Sequence, residues 1–76
     1  MIFDRIDWDE FNLDHAPKRL TAAEIEQAIW NADRVFPHRE HSSRALFRSV
    51  TDGGKATVVI VEVVDDGVRP ITGWEA

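Results

Sequence analysis

The stretch RALFRSVTDGGKATVVIVEVVDDGVRPITGW, residues 44–74, decides the fold of this chain. It contains three largely apolar runs, over residues 44–51, 55–64 and 68–74, which the glycine-containing turns DGG and DDG separate. Such turns favour hairpins, because glycine readily adopts a positive φ. The stretch therefore predicts three consecutive antiparallel strands.

The middle run, KATVVIVEVV, is apolar at both odd and even positions. A strand that is covered on both faces for part of its length shows this pattern, so we expect residues 58–63 to lie at the centre of the sheet. The last run contains Pro70, which has no backbone N–H to donate to a neighbouring strand. Pro70 therefore predicts that the last strand lies near an edge of the sheet.

A well-marked helix precedes these strands and is predicted to run from about residue 22 to about residue 31. TAAE, residues 21–24, is a capping box, in which the side chains of Thr21 and Glu24 bond each other's backbone amides. Apolar residues then recur at helical spacing and predict the buried stripe: Ile25, Ala28, Ile29 and Ala32. Trp30 lies off this stripe, so we expect it either to cover another edge of the fold or to be partly exposed.

The N-terminal stretch MIFDRIDWDEFNLDHAP, residues 1–17, predicts a short strand followed by a short helix. Asp9 can cap a helix that extends to Asp14 or His15, and Pro17 disfavours its continuation. Residues 31–43 read as a loop. The predicted order is β-α-α-β-β-β, a helical hairpin packed on a small antiparallel sheet, in one α+β domain over residues 1–76.

Length and composition place limits on the kind of protein. A domain of 76 residues buries only about 60% of its unfolded surface, so binding to a partner would add stability. The absence of cysteine excludes disulfides and thiolate metal sites and suits a reducing compartment, for which we predict the cytoplasm. No apolar run approaches the roughly 20 residues that span a membrane, and the acidic N-terminus does not resemble a signal peptide.

The charge of the chain is unevenly distributed. The net charge of −5 argues against a general nucleic-acid binder, because contacts to phosphate need arginine and lysine. Residues 1–16 carry five acidic residues against one arginine, a net −4, whereas residues 32–48 carry four arginines against two acidic residues, a net +2. Any anion-binding surface is therefore expected in the middle segment. The alternative is that these are ordinary solvated charges.

Three arginines are candidates for binding phosphate. Arg44 and Arg48 are four residues apart on a predicted strand, so their side chains share one face. Arg69, on the last strand, could join them. The planar guanidinium matches the geometry of phosphate oxygens. The alternative is an outward face of solvated arginines, some of them paired with Glu62 or Asp65.

The histidines are candidates for proton transfer, because histidine gains and loses a proton near neutral pH. His15 follows Trp8 and Phe11 at a helix end, where a histidine also caps carbonyl groups or makes a buried hydrogen bond. His38 and His41, in HREH, have a spacing that occurs in metal sites, but no cysteine or third histidine accompanies them. We therefore predict neither a metal nor a cofactor, and keep His15 and His41 as catalytic candidates.

In combination these segments resemble the BrnT family, the toxins of a type of bacterial toxin–antitoxin pair. DWDEFNLDHA is similar to the family's opening segment, and the shared residues are Trp8, Asp9, Asn12 and His15. The capped helix follows at the usual distance. The arginine-bearing strand, the hairpin and the final R-x-I-S/T strand also match, the last through Arg69, Ile71 and Thr72. The likeness covers nearly the whole chain.

The resemblance implies a RelE-like ribonuclease fold, RNA cleavage without a metal, and neutralisation by a repressor-type antitoxin, expected to be a ribbon-helix-helix protein. If the chain is such a toxin, we expect Arg44, Arg48 and Arg69 to hold phosphate and His15 or His41 to move protons. The sequence departs from the family at Gly73 and Trp74, where Ala-Arg is usual, and its 76 residues lack the basic helix that normally follows.

These departures favour an alternative, a non-catalytic interaction domain that keeps the fold but has lost the active site. Such a domain would bind a protein partner or form a homodimer through exposed apolar surface, including Trp74 and Trp30.

Overall fold

A computed structural model describes residues 3–17, 19–37, 43–65 and 67–76. Its elements, in chain order, are β1 (Arg5–Ile6), α1 (Glu10–His15), α2 (Ala22–Trp30), β2 (Phe36–Pro37), β3 (Arg44–Val50), β4 (Ala56–Val64) and β5 (Gly67–Glu75). The predicted α+β class and the order β-α-α-β-β-β are confirmed. The two-residue strand β2 is an addition, within the segment that was predicted to be a loop.

The strands form one sheet in the order β1-β5-β4-β3-β2. The β2–β3, β3–β4 and β4–β5 pairs are antiparallel, as expected of strands joined by short connections. β1 pairs with β5 in parallel, so the sheet is mixed rather than wholly antiparallel. No hairpin joins β1 to β5, and the rest of the fold lies between them in sequence; the local turn signals therefore do not determine their relative direction.

β4 is the central strand, as the doubly apolar run predicted, and Val59 and Val61 are fully buried. β5 has β1 as a neighbour only at Gly67 and Val68. Among the described residues, no strand pairs with β5 at Pro70 on the side away from β4. This part of β5 is therefore an edge of the sheet. This agrees with the prediction from the missing N–H of Pro70.

The two predicted turns form in different ways. In the DGG turn Gly54 has a φ of 89°, which favours glycine. In the DDG turn the positive φ, 57°, belongs to Asp65 instead of the glycine. Aspartate tolerates this left-handed conformation better than most residues, which explains why the turn forms without glycine at that position.

Both helices pack on the sheet, and none of the helices in the described segments is long and apolar enough to cross a membrane. Thr21 and Glu24 form the predicted capping box at the start of α2. Trp30 is 36% exposed, as expected of a residue off the buried stripe. The core joins buried residues of both helical and sheet segments: Phe3, Ala16, Leu20, Ile25, Ala28, Ile29, Ala32, Ala45, Phe47, Val59, Val61 and Val68.

The opposite side of the sheet faces away from this core, and we call it the open face. Directly paired residues on neighbouring strands point to the same side, so the register identifies its members. Three of its rows cross the sheet from β3 to β5: Arg44, Glu62 and Arg69; Phe36 of β2 with Leu46, Ile60 and Thr72; Arg48, Val58 and Trp74. An apolar row thus lies between two rows that carry arginine.

Candidate functional site

The start of α1 is fixed by a reciprocal pair of hydrogen bonds between Asp9 and Asn12. Asp9 Oδ1 accepts from the Asn12 backbone N–H at 2.9 Å, and Asn12 Oδ1 accepts from the Asp9 N–H at 2.7 Å. Asn12 Nδ2 also donates to the carbonyl oxygen of Asp7 at 3.0 Å. Asn12 is only 3% exposed, so these bonds give its buried side-chain amide the partners that it needs.

The other two residues of the opening signature also make structural contacts. Trp8 Nε1 donates to Glu26 Oε1 at 3.0 Å and so connects the entry of α1 to α2. His15 Nδ1 lies 2.7 Å from the carbonyl oxygen of Phe11. Because a carbonyl oxygen only accepts, Nδ1 carries the proton and donates it, which leaves Nε2 for other partners. The rings of Phe11 and His15 stack with centroids 4.1 Å apart.

Arg69 connects α1 to the sheet through two carboxylates. Its guanidinium donates to Asp9 Oδ2 at 2.5 Å and to Glu62 Oε1 at 3.4 Å. The Asn12 backbone N–H and, after it, the Arg69 side chain lower the pKa of Asp9 below its usual value. Asp9 in turn raises the pKa of Arg69, with a smaller contribution from Glu62. Arg69 is therefore firmly cationic, and its charge is balanced locally.

A cleft of about 250 Å³ opens between α1 and the open face of the sheet. Its lining comes from α1, β3, β4 and β5: Phe11, Asn12, His15, Arg44, Glu62, Arg69, Pro70 and Ile71. The cleft thus brings together three residues that the sequence singled out, His15, Arg44 and Arg69. Two aromatic rings, two guanidiniums and one carboxylate surround a volume that can hold a small anionic group.

Arg48 lies on the same face as Arg44, as predicted, but lines a different depression. Four residues along a strand separate the two Cα atoms by about 13 Å. In the described part of the chain neither side chain forms an ion pair, in contrast to Arg69. His41, the second catalytic candidate, and His38 lie outside the described residues.

Stability is expected to fall as the pH drops below about 4, because Asp9 and Glu24 then become protonated. The pKa of Glu24 is lowered first by the hydrogen bond from Lys55, at 2.6 Å, and then by the Thr21 backbone N–H. A carboxyl whose pKa is lower in the folded state stabilises the fold above its unfolded pKa. That contribution is lost as the pH falls through the folded pKa.

Thermal unfolding over a series of acidic pH values measures this effect for the wild type, Asp9→Asn, Glu24→Gln and the double variant. Asparagine also caps helices well, so Asp9→Asn removes the charge and keeps the cap. The double variant should lose part of the acid sensitivity. If the melting temperature of the double variant falls with pH as steeply as that of the wild type, these two carboxyls are not the source of the acid sensitivity.

Comparison with models of protein families, with curated proteins and with solved structures finds no match to this chain. The resemblance to the BrnT family therefore stays a prediction from the sequence. Any function assigned to the cleft depends on that prediction and on the side chains that line it.

Proposed function

We propose that this chain is a toxin-like protein that binds RNA in the cleft, cleaves it without a metal ion, and is neutralised in the cytoplasm by an antitoxin. The observation that carries the proposal is the meeting of His15, Arg44 and Arg69 around one cleft. These residues are far apart in sequence, and each lies in a segment that resembles the family. The cleft supports the proposal because it brings them together.

The proposed reaction is attack of an RNA 2′-hydroxyl on the phosphorus of the adjacent phosphodiester. A base removes the 2′ proton, the 2′ oxygen forms a bond to phosphorus, the bond from phosphorus to the 5′ oxygen breaks, and an acid protonates that oxygen. The products are a 2′,3′-cyclic phosphate and a 5′-hydroxyl. No redox partner or other reactant is needed.

Within the cleft His15 is suited to act as the base through Nε2, because its Nδ1–H is held by the carbonyl oxygen of Phe11. Arg44 has no ion pair in the described part of the chain, so its charge is available to a phosphate oxygen. Arg69 is bound to two carboxylates, and a phosphate would have to compete with both. We therefore assign Arg69 mainly to positioning α1 against the sheet. His41, which lies outside the described residues, stays the other candidate for proton transfer.

The proposal predicts that inducing the wild-type chain alone arrests growth and fragments RNA. Arg44→Ala should reduce the cleavage because it removes the unpaired guanidinium, and His15→Gln should do so because it removes the proton acceptor. Arg48→Ala tests whether the neighbouring depression contributes to RNA binding. Arg19→Ala is the matched control, since Arg19 is exposed and lies outside the cleft. RNA integrity after induction and the soluble yield of each variant are the measurements.

Equal cleavage by the wild type and all variants would remove these residues from the mechanism. Intact RNA in every culture, the wild type included, would exclude the ribonuclease. It would favour the second candidate, a non-catalytic domain that keeps the fold and binds a protein partner. The ion pairs of Arg69 with Asp9 and Glu62 are the observation that favours this candidate, because they neutralise a charge that RNA binding would use.

A further inference from the structure

One side of α1, next to the cleft, carries an exposed acidic and aromatic surface, which we call the acidic ridge: Glu10, Phe11 and Asp14. Glu10 and Asp14 are one helical turn apart, with Phe11 beside them, so the three share one side of the helix. Phe11 is 66% exposed, and its stacking on His15 holds the ring in place. An apolar ring on this acidic surface is a feature that a contact with another molecule would cover.

A depression on the open face has the opposite character, and we call it the basic groove. It has a volume of about 410 Å³ and is lined by Asp33, Arg34, Phe36, Leu46 and Arg48. Phe36 is 57% exposed and Leu46, its directly paired neighbour, is half-buried, so the centre is apolar. In the described part of the chain Arg34 and Arg48 form no ion pair, which leaves the groove with a net positive charge.

The ridge and the groove are complementary. The ridge presents one aromatic ring beside two carboxylates, and the groove presents an apolar centre with two guanidiniums and the single carboxylate of Asp33. Burial of an aromatic ring supplies affinity, and matched charges supply register and specificity. The charge distribution of the sequence agrees, with a net −4 over residues 1–16 and a net +2 over residues 32–48.

We propose that two copies of this chain associate, with the acidic ridge of each seated in the basic groove of the other. One molecule carries both halves of the contact, so a second copy is the partner of matching chemistry. A two-fold arrangement uses both contacts at once and closes the assembly as a dimer. The added burial would stabilise a domain whose own core is small. The inference does not depend on RNA cleavage.

Sedimentation velocity on charge-reversed variants tests the dimer. The ridge-reversed variant is Glu10→Arg with Asp14→Arg, and the groove-reversed variant is Arg34→Glu with Arg48→Glu. Each variant alone places like charges in both contacts, so its dimer dissociation constant should rise by about tenfold or more. Arg19→Glu changes the charge of an exposed arginine outside both surfaces and should leave association unchanged.

Mixing the two variants in equal amounts is the decisive step. In the mixed dimer one contact joins a reversed ridge to a reversed groove and the other joins a native ridge to a native groove, so both attract. The mixture should therefore recover a dimer that neither variant forms alone. Melting curves establish that the variants are folded. If the ridge-reversed chain does not fold, association is measured instead for the single variant Arg48→Glu, which changes an exposed strand position.

Three results would overturn the proposal. The first is a wild-type chain that remains monomeric from micromolar to millimolar concentration. The second is association that survives in the groove-reversed variant as well as in the Arg19→Glu control. The third is a mixture that stays monomeric. A monomeric wild type that binds a single-stranded RNA oligonucleotide through Arg48 would assign the groove to nucleic acid instead.

Discussion

Replacing Phe47 by alanine should lower the free energy of unfolding by about 3–5 kcal/mol. Phe47 is fully buried on β3 between the sheet and the helices, with its ring centroid 6.4 Å from that of Phe3. Alanine loses the burial of the ring and leaves a cavity that the neighbouring strands cannot fill. A domain of this length has a total stability of about 4–11 kcal/mol, so the variant should be close to unfolding at room temperature.

Urea unfolding, at a protein concentration below that at which the proposed dimer would form, measures this loss. Phe36→Ala is the matched control: it makes the same chemical change on β2, where the side chain is 57% exposed. Its cost should stay below about 1 kcal/mol, as for most surface substitutions. Equal costs for the two variants would contradict the division of the sheet into a core face and an open face.

The strands, the hairpin and the capped helix could be predicted from the sequence because their signals are local. The doubly apolar run identified β4 as the central strand, and Thr21 and Glu24 marked the start of α2 before any contact was known. The parallel pairing of β1 with β5 had no such signal, since it depends on how distant segments pack. The DDG turn shows a similar limit of prediction. Aspartate and glycine can both adopt a positive φ, so the sequence alone did not indicate that Asp65 would do so.

Part of the site could also be predicted. Because side chains alternate between the two faces of a β-strand, the sequence correctly placed Arg44 and Arg48 on one face. The cleft itself could not be foreseen, because it forms where α1 meets β5, and the bond from Arg69 to Asp9 joins residues that are 60 positions apart. The same bond shows why three arginines in a sequence are not equivalent. One of them is bound by two carboxylates, and the other two have no ion pair in the described part of the chain.

Asn12→Ala is expected to lower the free energy of unfolding by about 1–3 kcal/mol, because it removes two side-chain hydrogen bonds at about 0.5–1.5 kcal/mol each. Alanine removes the acceptor for the Asp9 N–H and the donor to the Asp7 carbonyl oxygen, and both lost bonds lie at the start of α1. Leu13→Ala is the control, because Leu13 is the next residue of the same helix and is 49% exposed. It should cost much less in urea unfolding.

The Asn12 variant also separates the two interpretations of the DWDEFNLDH segment. If Asn12 acts by holding α1, loss of stability and loss of any RNA cleavage should appear together, and Asn12→Asp should behave similarly. The aspartate keeps an acceptor for the Asp9 N–H but cannot donate to Asp7, and it adds a carboxylate beside that of Asp9. A variant that keeps wild-type stability but loses cleavage would instead place Asn12 in the reaction. Because Asn12 is buried and bonded to two backbone groups, we expect the first result: the segment builds one wall of the cleft, and His15 is the member left with a free ring nitrogen for chemistry.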